Sequence, residues 1–207
     1  MKKLLLAGVA LAGLALAPAA EAAITIVANG NTVATDPTNT VAAFNGAIGG
    51  FNINFITSAG VNAFGGNGVL MDNGSLNIAT NSVGSLLTLV ITQTDISLAS
   101  GLTSFETIFT GTITNATVSR SWFFDADNTG AQATLLGTTN VGNAVFAGQG
   151  TVNGLFSLTE VITVTASGLG AILSSDDKIR VPVPEPMSLT LFGAGLLGLG
   201  LVRRRKA

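Results

Sequence analysis

The sequence predicts an all-β protein whose body is an antiparallel β-sandwich. Segments in which apolar and polar residues alternate recur along the chain, and turn-forming Gly, Asn, Asp and Ser residues separate them. No amphipathic helical pattern of useful length lies between Ile24 and Arg180. Eight or so short strands, rich in Thr and Val, favour two packed antiparallel sheets. A β-helix or repeat array is the alternative, although the chain shows no clean repeat period.

The clearest strand segments show which face each would bury. Phe51–Phe55 places three apolar side chains on one face and two amides on the other, and the run Leu86–Ile96 also has an apolar face. Residues 105–118 and 156–165 alternate in the same way, with threonines between the apolar residues. The segment Asp72–Ser75 separates two short apolar segments and predicts a hairpin turn.

Glu160 is unusual because it shares its predicted strand face with apolar residues, namely Phe156, Leu158, Ile162 and Val164. An acid on such a face must either reach the sheet edge or meet a cation. Glu160 is therefore expected either to reach the sheet edge or to meet one of the cations of the body, Arg120, Lys178 and Arg180.

The composition excludes several kinds of chemistry. The chain contains no cysteine, histidine or tyrosine, so disulfides, thiolate catalysis, a Ser-His-Asp triad and most transition-metal sites are excluded. Between Ile24 and Val181 there are nine acidic and three basic residues, a net charge of −6. Such a surface repels phosphate, so we expect no nucleic-acid partner.

The first 22 residues have the three parts of a secretory signal peptide. Two lysines open the chain, an apolar segment that is expected to be helical follows, and a proline then ends the helix. The small residues Ala20 and Ala22 form a cleavage site for signal peptidase. We therefore expect residues 1–22 to be removed and residues 23–180 to form a β-rich extracytoplasmic domain.

Residues 181–207 form a tail that also has three parts. A proline-rich stretch is followed by the apolar segment Met187–Val202, which is predicted to be a single transmembrane helix, and then by a basic end. The apolar segment is shorter than the roughly 17–25 residues of a typical membrane span, so the anchor is expected to be temporary. By the positive-inside rule, the basic end would stay on the cytoplasmic side. The motif residues are Pro184, Glu185 and Pro186, and the basic residues are Arg203, Arg204, Arg205 and Lys206.

This arrangement resembles the PEP-CTERM sorting signal of Gram-negative bacteria. The resemblance covers only the tail and implies that an exosortase, an integral-membrane transpeptidase-like enzyme, recognises and cleaves it. It also implies an inner-membrane-anchored precursor that is released to the periplasm, the cell envelope or the exterior, and an association with exopolysaccharide and biofilm formation. An ordinary membrane anchor with a proline-rich stalk is the alternative.

Two candidate ligand sites lie close together in the sequence. Asp125, Asp127 and Thr129 present oxygens at alternate positions, as at the start of a calcium-binding loop. The twelfth position of such a loop, where an EF-hand has a bidentate glutamate, is a leucine here, so an EF-hand is excluded. A looser Ca²⁺ site remains possible, and a solvated turn is the alternative. Trp122 and Phe124 share one face of a predicted strand. If exposed, they could stack on a sugar, whereas buried aromatics form a core.

No enzymatic activity is predicted, and Ca²⁺ is the only cofactor considered. A carboxylate-only glycoside hydrolase, the less favoured alternative, needs two acids about 5–9.5 Å apart across a cleft. The sequence-adjacent pair Asp176 and Asp177 is interpreted instead as a charged linker between body and tail. The sequence therefore favours a structural, exopolysaccharide-associated surface or matrix protein, with a carbohydrate-binding module as the alternative.

Overall fold

The computed structural model describes residues 23–59 and 68–182, and within these ranges all regular secondary structure is β-strand. The predicted signal helix and transmembrane helix lie outside the described residues. Within them, no helix has the length and apolar character needed to cross a membrane. The strands are β1 (Ile24–Ala28), β2 (Asn31–Asp36), β3 (Val41–Ile48), β4 (Phe51–Ala59), β5 (Val69–Thr80), β6 (Leu86–Ser97), β7 (Gly101–Ile113), β8 (Ala116–Asp125), β9 (Thr134–Thr139), β10 (Ala144–Val152), β11 (Leu155–Ala166) and β12 (Gly170–Arg180).

These strands form two six-stranded sheets. Sheet A has the order β2-β1-β6-β11-β8-β9, and sheet B has the order β10-β7-β12-β5-β4-β3. Every neighbouring pair is antiparallel. Alternate residues of both sheets are buried in one continuous core, so the predicted antiparallel sandwich is confirmed.

Alternation decides which side chains enter the core. In β4 the apolar residues Phe51, Ile53 and Phe55 are buried and the intervening Asn52 and Asn54 are exposed, as the sequence predicts. A cluster of three phenylalanines then joins the sheets. Phe105 of sheet B lies 5.4 Å from Phe124 and 6.1 Å from Phe156 of sheet A, measured between ring centroids.

The predicted hairpin at Asp72–Ser75 is wrong, because these residues lie inside the single strand β5. Both neighbouring strands show a register shift here, and in each case β5 contributes one residue more than its partner. Ser75 has a φ of 58°, so the extra residue forms a β-bulge rather than a turn. The bulge changes the parity of the strand: Met71 and Asn73 point inward before it, and Leu76 and Ile78 point inward after it.

The predicted run 105–118 is divided in the structure. β7 ends at Ile113 and β8 begins at Ala116, with Asn115 at a φ of 49° between them. The carbonyl oxygen of Asn115 accepts hydrogen bonds from the amides of Ser167 and Gly168. The chain passes from sheet B to sheet A at this turn, which brings β8 into the core opposite β12.

Candidate functional site

A buried ion pair connects the two sheets. Arg120 of β8 donates from Nη1 to Oδ1 of Asp177 in β12 at 2.6 Å, and both side chains are excluded from solvent. Nη2 of Arg120 donates to the carbonyl oxygens of Val141 and Gly142 at 2.7 and 2.8 Å. The guanidinium carbon lies 5.2 Å from the centroid of the Phe109 ring, a cation–π contact. Arg120 is thus the partner of a buried acid, but that acid is Asp177. The expectation that Glu160 reaches the sheet edge or meets a cation is wrong, since Glu160 is fully buried and forms no ion pair among the described residues.

Glu160 extends this cluster, and it is fully buried on the core face of β11, as its strand position predicts. Asn73 donates its side-chain amide to Oε2 of Glu160 and accepts a hydrogen bond from the hydroxyl of Thr57. The bulge in β5 makes this contact possible, because it turns Asn73 into the core. We name Thr57, Asn73, Arg120, Glu160 and Asp177 the core polar cluster.

The two acids of the core polar cluster affect each other's protonation. Oε1 of Glu160 and Oδ2 of Asp177 are buried without a hydrogen-bond partner among the described residues, and a proton on one carboxyl group would let the two acids hydrogen-bond. Burial, and then the negative charge of Asp177, raises the pKa of Glu160 well above its ordinary value. Burial also raises the pKa of Asp177, but there the Arg120 guanidinium opposes the shift. These opposing causes favour a proton on Glu160 and a charged Asp177 beside Arg120.

The burial of this cluster corrects the linker interpretation of Asp176 and Asp177. Asp177 lies in a central strand of sheet B with its side chain in the core, and only Asp176 is exposed. Glu160 and Asp177 do face each other, but no cleft leads to them, since both are closed off from solvent. The arrangement can hold the sheets together, but it does not offer two carboxylates to a substrate.

The predicted aromatic pair lies in the core. Trp122 has no exposed surface and Phe124 is 2% exposed, so neither ring face is available for stacking on a sugar. The sugar-stacking hypothesis therefore fails for this pair, because strand β8 points both rings between the sheets. The core interpretation of these aromatics is the correct one.

The predicted calcium-loop residues form a turn organised by Asp125. Its carboxylate accepts hydrogen bonds from the amides of Asp127, Thr129 and Ala131 at 3.0, 2.8 and 3.2 Å and from the Thr129 hydroxyl at 2.7 Å. Burial alone would raise the pKa of Asp125, but these hydrogen bonds lower it to about 2. Asp127 points to solvent, and within residues 23–59 and 68–182 no group of three acidic side chains converges on a metal position.

The outer face of sheet B carries a second feature, a row of uncharged polar side chains that follows the register across five strands. Asn45 pairs with Asn54, Asn54 with Asn77, Asn77 with Ser174, and Ser174 with Thr112. We name these five residues the amide–hydroxyl row. All five side chains are exposed. The row lines two adjoining depressions of about 340 and 350 Å³, which share Asn77, Thr112 and Ser174.

Sequence reasoning missed both the role of Asp177 and the row, although signals for each were present. Leu173, Ser175, Asp177 and Ile179 alternate as one face of a strand, which would have placed Asp177 inward. Asparagines on the polar face of successive strands were visible in β4 and β5. Only the register could align them. The predicted residues Ala20 and Ala22, Pro184–Pro186 and Arg203–Lys206 lie outside the described part of the chain.

The fold and surface define a two-sheet antiparallel β-sandwich with an uncharged polar outer face on sheet B. Directly after this domain, residues 182–206 match the family model of the PEP-CTERM protein-sorting motif. The chain thus carries a PEP-CTERM sorting motif, and the motif implies export, a membrane-anchored precursor and processing by an exosortase. The matched range includes the predicted Pro-Glu-Pro motif and all four basic residues.

Two solved structures show a distant similarity to this chain. The enzymatically active domain of tailspike protein 4 of bacteriophage CBA120 aligns with a TM-score of 0.34 and 18% identity, over 69% of this chain and 19% of that one. The Gx strain structure of infectious bursal disease virus aligns with a TM-score of 0.24 and 10% identity, over 89% of this chain and 55% of that one. This chain therefore spans about a fifth and about half of their lengths. No curated protein matches the chain.

Proposed function

We propose that this chain is a non-enzymatic surface or extracellular-matrix protein that is sorted by an exosortase-type system and associates with exopolysaccharide. The observation that carries the proposal is the position of the sorting motif. It begins at residue 182, two residues after the last strand of the sandwich ends at Arg180. The sandwich is therefore the part that processing of the tail would deliver to the outside.

The chemistry of the sandwich supports a structural role. Its two facing acids, Glu160 and Asp177, are buried, and Asp177 is paired with Arg120, so they are not arranged for hydrolysis. A carboxylate-only glycoside hydrolase is for this reason the less favoured proposal. The exposed surface of sheet B offers amides and hydroxyls instead, which are groups suited to contact with a hydrated polymer.

Fractionation of the native host, combined with mass spectrometry of both mature termini, tests the proposal. We expect a mature chain that begins after Ala22, ends near Pro184–Pro186, and is recovered with the envelope or the extracellular matrix. In a host that lacks its exosortase, the tail should remain and the protein should stay in the inner membrane.

Two variants sharpen this test. Pro184→Ala/Pro186→Ala should block processing, whereas Pro37→Ala, which changes an exposed proline of the β2–β3 loop, should leave it intact. Recovery of the chain in the cytosol with Lys2 and Lys206 still attached would refute the proposal. Identical processing with and without the exosortase would also count against it.

A further inference from the structure

We propose that the amide–hydroxyl row binds a neutral, hydroxyl-rich polysaccharide chain that runs across the strands of sheet B. The inference rests on the proposed function, and it adds a ligand class and a site to it. The site is distinct from the aromatic pair Trp122 and Phe124, which lies in the core.

The spacing of the row suits an extended polymer. Neighbouring strands in a sheet lie about 4.7–4.9 Å apart, so five register-paired positions extend over roughly 19 Å. A polymer chain crossing the strands at a right angle meets a new polar side chain at each step. Two shallow depressions lie along the row, about 340 and 350 Å³ in volume, and could receive parts of such a polymer.

The side chains of the row are available for a ligand. Among the described residues, Asn45, Asn54, Ser174 and Thr112 form no side-chain hydrogen bond with the protein. Asn77 donates to the carbonyl oxygen of Ser75 at 3.2 Å, which leaves its own side-chain oxygen free. Each amide offers two donors and an acceptor, and each hydroxyl offers one donor and two lone pairs. Sugar hydroxyls have the matching capacity to donate and to accept.

Charge around the row selects a neutral polymer over an anionic one. The row itself is uncharged, and the charged side chains next to it on the same outer face are Asp72, Asp176 and Lys178. Lys178 lies 3.5 Å from Asp72 and 3.2 Å from Asp176, so its charge is already offset by two acids. The remaining negative charge repels carboxylated or sulfated chains.

The row contains no aromatic side chain, so stacking does not contribute to binding there. Affinity must therefore come from several modest hydrogen bonds made together, each of which contributes little against competition with water. This predicts binding that increases with the length of the glycan until the glycan spans the row. Short oligosaccharides should bind poorly.

The test uses the full chain in mild detergent and native electrophoresis through gels that contain hydroxyethylcellulose, dextran or alginate. A series of cello-oligosaccharides of increasing length, measured by calorimetry, gives the length dependence. Asn54→Ala/Asn77→Ala removes two central amides of the row. Asn140→Ala/Asn153→Ala removes two exposed amides elsewhere and is the matched control.

We expect at least one neutral glucan to retard the wild-type chain, and alginate to retard it less. Asn54→Ala/Asn77→Ala should weaken the apparent affinity by about tenfold or more, and the control should stay within about twofold. Thr112→Val/Ser174→Ala is a second, shape-conserving variant that removes only the hydroxyls at the other end of the row, and it should also weaken binding. Fluorescence melting of each variant reports whether the fold is retained.

Several results would overturn the inference. These are an absence of retardation by both neutral glucans, stronger retardation by alginate, or equal binding by the row variants and the control. Concentration-dependent self-association that the row variants abolish, without glycan binding, would assign the row to a second copy of the chain instead. If the fractionation results hold while glycan binding fails, the proposed function stands without this site.

Discussion

Replacing Asp177 by asparagine removes the carboxylate that neutralises Arg120 and nearly preserves the size of the side chain. Arg120 then remains buried with only neutral acceptors, the carbonyl oxygens of Thr110, Val141 and Gly142. Removing one partner of a buried ion pair typically costs about 3–5 kcal/mol. Since a domain of this kind unfolds with a free energy of about 5–15 kcal/mol, Asp177→Asn should remove a large fraction of its stability.

The size of the stability loss in Asp177→Asn, within the range of about 3–5 kcal/mol, depends on Glu160. Removing the negative charge of Asp177 lowers the pKa of Glu160, although burial still raises it, so Glu160 ionises more readily in the same cluster as Arg120. We therefore expect about 3 kcal/mol for Asp177→Asn alone. The double variant Asp177→Asn/Glu160→Gln leaves the cation without any carboxylate, and we expect a loss of about 5 kcal/mol.

Glu160→Gln alone should have the opposite sign at neutral pH. The pKa of Glu160 is raised in the folded state above its ordinary value of 4.5, so the folded state binds this proton more tightly than the unfolded state does. The stabilisation from the proton is complete below pH 4.5 and declines as the pH rises towards the folded pKa. Glutamine supplies a similar donor and does not titrate, so Glu160→Gln should gain stability over the wild type as the pH rises.

Urea unfolding of the full chain in mild detergent measures these effects. The chain has a single tryptophan, Trp122, which is fully buried, so its fluorescence reports unfolding directly. Asp176→Asn is the matched control, since Asp176 is exposed and its ion pair with Lys178 should contribute less than about 1 kcal/mol. The reasoning is refuted if the loss in the double variant equals the sum of the two single effects, or if Asp177→Asn is no more harmful than the control.

Three further predictions use the same fluorescence measurement. Phe124→Ala should lower the free energy of unfolding by about 3–5 kcal/mol, because the centroid of its ring lies 5.4 and 5.2 Å from those of two other core phenylalanines. Leu102→Ala, at a side chain that is 70% exposed, should change it by less than about 0.5 kcal/mol, and similar losses in both variants would contradict the assignment of the core. Gly111→Ala should cost about 1–3 kcal/mol, because an added Cβ would clash with the carbonyl oxygen of Ser174 in the neighbouring strand, whereas Gly154→Ala should be neutral, because a Cβ there meets nothing within 4 Å. A harmless Gly111→Ala would contradict the close approach of β7 and β12 at this position. Hydrogen bonds lower the pKa of Asp125 to about 2, so its contribution to stability is present above the ordinary pKa of 3.8 and is lost as the pH falls towards 2. In Asp125→Asn, the free energy of unfolding should therefore depend less on pH over that interval, and an unchanged pH dependence would exclude this role of Asp125.

Local pattern was sufficient to predict much of the sandwich. The alternation in 51–55 correctly gave the buried face of β4, because an uninterrupted strand keeps one parity. The alternation in 86–96 gave the buried face of β6 up to Gln93, after which a bulge with a positive φ at Asp95 changes the parity. The same reasoning placed Glu160 inward and brought Arg120 into consideration as a partner for a buried acid. It failed at Asp72–Ser75, where turn-forming residues lie in a bulge that two neighbouring strands hold in the sheet.

The partners across the sandwich could not be predicted in this way. Asp177 looked like part of a linker because it lies close to the proline-rich tail, and nothing local showed that β12 is inserted between β7 and β5. The amide–hydroxyl row likewise depends on strands brought together by pairings between residues as far apart as Asn77 and Ser174. Both features depend on the order of the strands in the sheet, which cannot be predicted from the pattern of each strand alone.

The late position of β12 has a consequence for folding. This strand occupies an interior place in sheet B but is the last strand of the sandwich to be synthesised, immediately ahead of the sorting motif that begins at residue 182. Until it is present, β5 and β7 lack the strand that joins them, and the guanidinium of β8 has no counterion. A chain without β12 therefore cannot close sheet B, so the sandwich completes its fold only after the segment next to the sorting motif has been made.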